Sequence, residues 1–259
     1  MPELPDLEVF SRNLQKSLSG KKVKKIAVIN KSKIKSSEKE FRKALETRQL
    51  ENVYREGKEL RFKFSDNKIL GLHLMRNGRI YLFDNKNDHK YTIIELLFAD
   101  NTGLALTDFQ GMAVASLNPV EKNSPDALSA EINFKFLKDR LSKTRTTIKN
   151  LLLDQKMIRG IGNAYADEIL WDALISPLSV SNKIPDEKIK ALAKSVKKVL
   201  ANAIRQIRKE HPDIINGEIR DFLQIHNAKK KQSPRGGIIR HQTIGGRKTY
   251  YTDEQEVFR

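Results

Sequence analysis

Apolar positions along the chain change their spacing twice, and the changes divide it. After Pro2-Glu3-Leu4-Pro5, residues Leu7, Phe10, Leu14 and Leu18 recur at helical spacing behind an acidic first turn, which predicts an amphipathic helix with Pro5 near its start. From Val23 to about Val114 the pattern becomes short alternating runs such as Leu60-Arg61-Phe62-Lys63-Phe64. Turn signals such as Ser65-Asp66-Asn67 and Asp84-Asn85 separate them, so this stretch reads as an antiparallel sandwich or barrel. Between Asn118-Pro119 and Ser124-Pro125 periodicity lapses among breakers, and a domain boundary is placed there.

Helical spacing then returns. Thr146 or Thr147 caps a helix carrying Ile148, Leu151 and Leu152; Arg159-Gly160-Ile161-Gly162-Asn163 interrupts it, and Tyr165 to Leu174 resumes. A longer helix from near Pro185 buries Ile189, Leu192, Val196, Leu200 and Ile207, and its lysines and arginines read as a solvated face. Asn227 to Arg235 is polar and basic. Ile238-Ile239 and Thr249-Tyr250-Tyr251 then bracket Ile244-Gly245-Gly246-Arg247, a predicted hairpin. The fold class is α+β and multidomain: a helix plus antiparallel β-sandwich over 1–117, a helical domain over 118–226, and a C-terminal hairpin segment over 227–259.

Charge narrows the partner. With 49 Lys+Arg against 32 Asp+Glu, the formal net charge is +17, a surplus that favours a polyanion such as nucleic acid through counterion release. No stretch approaches the roughly 20 apolar residues of a membrane span, and the start MPELPDLE is not a signal peptide, so a cytosolic protein away from membranes is expected. The sequence has no cysteine, which excludes disulfides, a thiol nucleophile and a cysteine zinc site.

Chemistry enters at the second residue. Removal of Met1 would expose the secondary amine of Pro2, a nucleophile able to attack the sugar C1′ of a nucleotide. The attack displaces the base and gives an iminium that drives elimination of the 3′ phosphate. Glu3 is placed to protonate the departing sugar oxygen and to shuttle protons afterwards. A retained Met1 would block this amine, and Pro2-Glu3 taken alone reads first as a helix lead-in.

Four separated segments make the case, because together they resemble the formamidopyrimidine-DNA glycosylase and endonuclease VIII family over nearly the whole length. Pro2-Glu3-Leu4-Pro5-Asp6-Leu7-Glu8 is similar to the family's opening and implies Pro2 as nucleophile and Glu3 as acid/base. Arg55-Glu56-Gly57-Lys58 is similar to a family Arg-x-Gly-Lys, which implies a phosphate-binding, active-site role for Lys58. Gly160-Ile161-Gly162-Asn163-Ala164-Tyr165-Ala166-Asp167-Glu168-Ile169-Leu170 resembles the helix-two-turns-helix signature and implies a phosphate contact from Asn163. Tyr165 there reads as core, and Glu168 as a brace for the turn. Ile244-Gly245-Gly246-Arg247-Lys248-Thr249-Tyr250-Tyr251 is similar to the hairpin of the family's C-terminal finger, which implies that Arg247 grips phosphates.

The chain also departs from the family. Most members hold the finger with four cysteines, whereas Tyr251 is followed here by Thr252-Asp253-Glu254-Gln255. His226 and His241 are too few for a zinc site, so a zincless finger kept by hairpin hydrogen bonds and packing of Ile238, Ile239 and Tyr250 is expected. Leu72-His73-Leu74-Met75-Arg76-Asn77-Gly78 resembles the loop that wedges into the duplex when a damaged nucleotide is extruded, with Met75 or Arg76 as the wedge or either as a plain turn residue. Thr107-Asp108-Phe109-Gln110-Gly111-Met112 stands where the family has an Arg-Arg-Phe element and lacks both arginines. Phe222-Leu223-Gln224-Ile225-His226 runs almost directly into the finger, which tilts the expected substrate toward oxidised pyrimidines, hydantoins or lesions in open structures.

The resemblance therefore implies a monomeric repair glycosylase with strand-cleaving lyase activity on damaged DNA, needing neither metal nor organic cofactor. Two rivals stand beside it: a damage-binding protein of the same fold that does not cut, and a lyase that processes abasic sites with little base removal.

Overall fold

The computed structural model describes residues 1–31, 34 and 36–259. Contacts gather them into two units, 1–121 with 207–218 and 122–206 with 219–259, so the hairpin segment clusters with the helical residues before it.

In the first unit, α1 (Leu4–Leu18) precedes two antiparallel sheets. One orders β1 (Val23–Val28), β6 (Thr92–Phe98), β7 (Thr102–Thr107) and β5 (Arg79–Asp84). The other orders β2 (Leu50–Glu56), β3 (Glu59–Phe64), β4 (Lys68–His73) and β8 (Val114–Leu117). Their apolar faces share a core with α1 in which Phe10, Phe41, Phe62, Phe64 and Phe98 are buried, as the alternation in β3 requires of Leu60, Phe62 and Phe64. Arg61, on the other face of that strand, is also buried, and it pairs with Glu56 and, at 3.0 Å, with Glu59.

An element absent from the strand reading interrupts this region. Helix α2 (Glu38–Leu45) starts at Ser37, whose hydroxyl and backbone N–H exchange hydrogen bonds with Glu40, and it seats Phe41 and Leu45 in the core. The end of the long helix and residues 211–218 also join this unit. Asn13 Nδ2 donates to the Ile214 carbonyl at 2.8 Å, and Asn216 Nδ2 to that of Ile80 at 3.1 Å.

The second unit holds α3 (Phe134–Ser142), α4 (Ile148–Leu153), α5 (Asn163–Asp172) and most of α6 (Asp186–Glu210). Ile189, Leu192, Val196, Leu200 and Ile207 of α6 are all buried, as their spacing predicts. Thr147 is the residue at the N-terminal cap of α4, but its side chain makes no capping bond. The hairpin of β9 (Ile239–Ile244) and β10 (Arg247–Thr252) turns through Gly245 and Gly246, with φ of +54° and +74°. Two successive left-handed residues match the right-handed twist of the strands, and a Cβ on Gly245 would lie 2.5 Å from Asn150 Oδ1. Ile239 and Tyr250 pack with Trp171 and Ile225 as expected, whereas Ile238 is 52% exposed and contributes nothing to that cluster. It lies outside β9, where Asp253 holds its N–H toward the surface.

Candidate active site and nucleic-acid interface

Glu3 caps α1 with an extended backbone, and its N–H is held by Asp6 at 2.8 Å. This fixes Pro2 at the head of the helix, where it is buried and lines a cavity of about 620 Å³. Arg76, Arg79 and Lys90 put three cationic side chains in the same wall, beside Tyr81, His89, Tyr91 and Phe109. Tyr81 and His89 stack with ring centroids 4.0 Å apart. Glu218 completes the wall and takes the Met1 ammonium.

The hairpin carrying Lys58 is tied to α1. Its turn passes through Gly57 (φ +58°), whose carbonyl accepts from Arg55 Nη1 at 3.0 Å, while Arg55 Nε donates to Glu8 of α1 at 3.0 Å. Lys58, half-buried, thus rides on a turn anchored one helical turn beyond Glu3.

Between β4 and β5, Met75 sits at φ +52° with its N–H on His73 Nδ1. Gly78 closes this turn onto the Leu74 carbonyl so tightly that a Cβ would lie 2.3 Å from that oxygen. Arg76 is exposed and enters the cavity wall with Pro2, whereas Met75 is half-buried and not part of it. A second loop meets the first through Asn77 and Gln110. Asp108, buried there, accepts the N–H groups of Gln110, Met112 and Ala113, so this loop is shaped by a carboxylate cap and presents Phe109 at 64% exposure.

In the second unit, Asn163 opens α5 and its Nδ2 donates to the Lys248 carbonyl at 2.8 Å, which sets it directly against the strand that begins with Arg247. Arg247 is exposed at the turn. Tyr165 is wholly buried, in keeping with a core role. Glu168 does brace a turn, but one in the segment leading to the hairpin: its carboxylate accepts the N–H groups of Gln224, Ile225 and His226. Burial pushes this carboxyl above its usual range, against the three N–H bonds.

A sequence profile described as the formamidopyrimidine-DNA glycosylase N-terminal domain matches residues 1–114, and one described as the H2TH domain of the same enzymes matches 124–211. The formamidopyrimidine-DNA glycosylases of Lactobacillus acidophilus and Lactobacillus gasseri are 30% and 31% identical to the chain, each alignment covering 99% of both partners. The chain belongs to the formamidopyrimidine-DNA glycosylase family. Among solved structures, a Lactococcus lactis Fpg complex with abasic-site DNA superposes with a TM-score of 0.88 at 25% identity, covering 98% of this chain and all of that one. A complex of the same bacterial protein with DNA containing an oxidised pyrimidine gives 0.89 at the same identity and coverage.

Zinc, which most family members carry in the finger, does not fit the residues here. His226 Nδ1 lies 2.7 Å from Asp167 and its ring abuts Tyr250, as does that of His241. Among the described residues no group of three His, Cys, Asp or Glu side chains is arranged to hold a metal ion. Where cysteines would follow Tyr251, Glu254 instead accepts from Ser233 Oγ at 2.6 Å, Thr252 Oγ1 at 2.9 Å and Trp171 Nε1 at 3.0 Å. Burial works to raise this carboxyl, but the three donors outweigh it and hold it below its usual range. No helix among the described residues is long and apolar enough to cross a membrane.

The sequence reading missed Arg79, Lys90, Tyr81, His89, Tyr91 and Glu218. The first five lie on or beside β5 and in the polar stretch before β6, where each reads as an ordinary strand or loop residue. Only the pairing of β5 with β7 and β6 with β7 brings them round Pro2.

Proposed function

We propose that this chain is a base excision repair DNA glycosylase with abasic-site lyase activity, acting as a monomer on damaged DNA from the secondary amine of Pro2. What carries the reading is the placement of Pro2, buried at the capped head of α1 in the wall of a cavity flanked by Arg76, Arg79 and Lys90. With Met1 removed, the Pro2 nitrogen bonds to C1′ of the extruded nucleotide, the bond to the base breaks with its electron pair on the base, and the proton that the amine loses ends on the departing base. Glu3 protonates the sugar ring oxygen as the ring opens, giving an iminium. Loss of a C2′ proton then expels the 3′ phosphate, and a further elimination releases the 5′ phosphate. Lys58, Asn163 and Arg247 contact phosphates and so position the strand, and Arg76 takes the wedge or a neighbouring phosphate.

Under this reading oxidised pyrimidines, hydantoins and lesions in open structures are the preferred substrates, as the run of 222–226 into the finger implies; the stretch 211–238 nonetheless contains neither helix nor strand, and its Gly217 and Glu218 line the cavity. The test is borohydride trapping on an abasic-site duplex, with N-terminal mass analysis, Pro2→Gly and Glu3→Gln. Correctly processed protein should form a covalent complex that Pro2→Gly weakens, while Glu3→Gln suppresses base removal. Tight binding without any complex would favour the non-cutting rival.

A further inference from the structure

Lys149 lies in α4 and is completely buried, which is costly for an ammonium unless its protons are all directed at acceptors. It donates to Asp167 Oδ1 and to Thr249 Oγ1, each at 2.6 Å. The other Asp167 oxygen takes the Tyr250 N–H at 2.9 Å and faces His226 Nδ1 at 2.7 Å. Thr249, also wholly buried, is therefore held from below.

An ammonium only donates, so the Thr249 hydroxyl must accept from Lys149, and its single proton is left to point elsewhere. It points at the Arg247 carbonyl, 3.0 Å away. The next carbonyl, that of Lys248, is taken by Asn163 Nδ2. Two consecutive carbonyls beneath the hairpin tip are thus fixed by side chains from α4, α5 and β10. By contrast, the Arg247 side chain makes a marginal 3.5 Å contact to the Gly245 carbonyl and stays exposed.

We infer that Lys149 and Thr249 are positioning residues for Arg247: a proton-ordered relay from a buried ion pair sets the backbone from which Arg247 reaches a DNA phosphate, the task a bound zinc performs in most of the family. The inference rests on the proposed phosphate role of Arg247. It separates the buried lysine from the catalytic chemistry and gives it to the geometry of the finger. A well-packed finger would be served as well by an apolar residue at 149; an ordered hydroxyl aimed at the Arg247 carbonyl is needed only if that carbonyl has to stay in one place.

Thr249→Val preserves shape and removes the relay, and Thr249→Ser preserves the relay. On abasic-site duplex, Thr249→Val should raise KM about tenfold with kcat within about twofold of wild type, and it should flatten the salt dependence of binding by close to one phosphate contact. Thr249→Ser should restore both, and adding Arg247→Ala to Thr249→Val should cost nothing further. Thr249→Ala against Thr249→Ser repeats the comparison should the valine variant not fold. An unchanged KM in the variants lacking the hydroxyl, or an independent additional loss on removing Arg247, would overturn the inference. Wild-type protein that traps on borohydride while Thr249 proves indifferent refutes only the relay; wild-type protein that fails to trap refutes the catalytic reading beneath it.

Discussion

Glu8 and Arg55 stand 47 residues apart in sequence and are joined at 3.0 Å, and this pair couples the helix that begins at Glu3 to the turn that carries Lys58. Arg55 is only 4% exposed in its side chain, so it cannot exchange Glu8 for water. Glu8→Gln should destabilise the first unit by about 1–3 kcal/mol, the usual result of leaving a buried charged donor poorly met. It should also lower kcat/KM on abasic DNA, since Arg55, less firmly anchored to α1, then holds the Gly57 carbonyl less rigidly. Urea unfolding and single-turnover cleavage measure the two effects. Full activity with the pair broken would detach Lys58 from this clamp.

Gly78 allows a closer approach than any side chain permits. Gly78→Ala would press a methyl into the Leu74 carbonyl and against Ala113, which should cost about 1–3 kcal/mol by overpacking and displace Arg76 from the cavity wall. The expected signature in denaturation is a lower urea midpoint with an unchanged slope. A variant as stable as wild type would show that the turn relaxes at little cost.

Of the two wedge candidates, only Arg76 enters the wall of the cavity that contains Pro2. Arg76→Ala should weaken binding to lesion duplex by about tenfold at low salt, roughly 1.4 kcal/mol, and Met75→Ala by much less. Fluorescence anisotropy across a salt series distinguishes them, and the reverse ranking would return the wedge to Met75.

Glu168 offers a pH test. Its carboxyl is raised in the folded protein above the ordinary value of 4.5, with burial as the main cause, so the native state binds more protons than the unfolded chain in the window above 4.5. That contribution to stability is present at low pH and is lost as pH rises through the folded-state pKa. Wild type should therefore lose stability relative to Glu168→Gln as pH rises through this window. At a fixed acidic pH the glutamine variant should still be weaker by about 1–3 kcal/mol, because its amide cannot accept the Gln224 N–H. Parallel thermal melts of the two proteins across pH give both quantities, and parallel profiles would remove Glu168 as the titrating group.

The elements most visible in sequence were those whose burial follows a single period. The buried positions of α1 and α6, the alternation of β3 and the Gly245-Gly246 turn all stand where their spacing places them. Helix α2 was hidden because eight residues with two buried positions, Phe41 and Leu45, leave too short a period to stand out among strands. Asp167 passed as one letter of a signature. Its function depends on Lys149, His226 and Tyr250, which lie 18, 59 and 83 residues away, and no local pattern encodes such a meeting. The cavity wall was hidden for the same reason: strand register brings Tyr81 and Lys90 toward Pro2, and register is set by the whole sandwich.

The clip at Glu254 has a consequence for the conditions under which this protein works. A carboxylate meeting two hydroxyls and an indole N–H contains no sulfur, and the sequence has no cysteine anywhere. Thiolates that ligate zinc are open to peroxide, which carries them toward sulfenic and higher acids and ends their hold on the metal. The oxidants that damage bases would thus disarm a thiolate finger while its substrates accumulate; a clip built from a carboxylate, two hydroxyls and an indole N–H offers them no thiolate to attack.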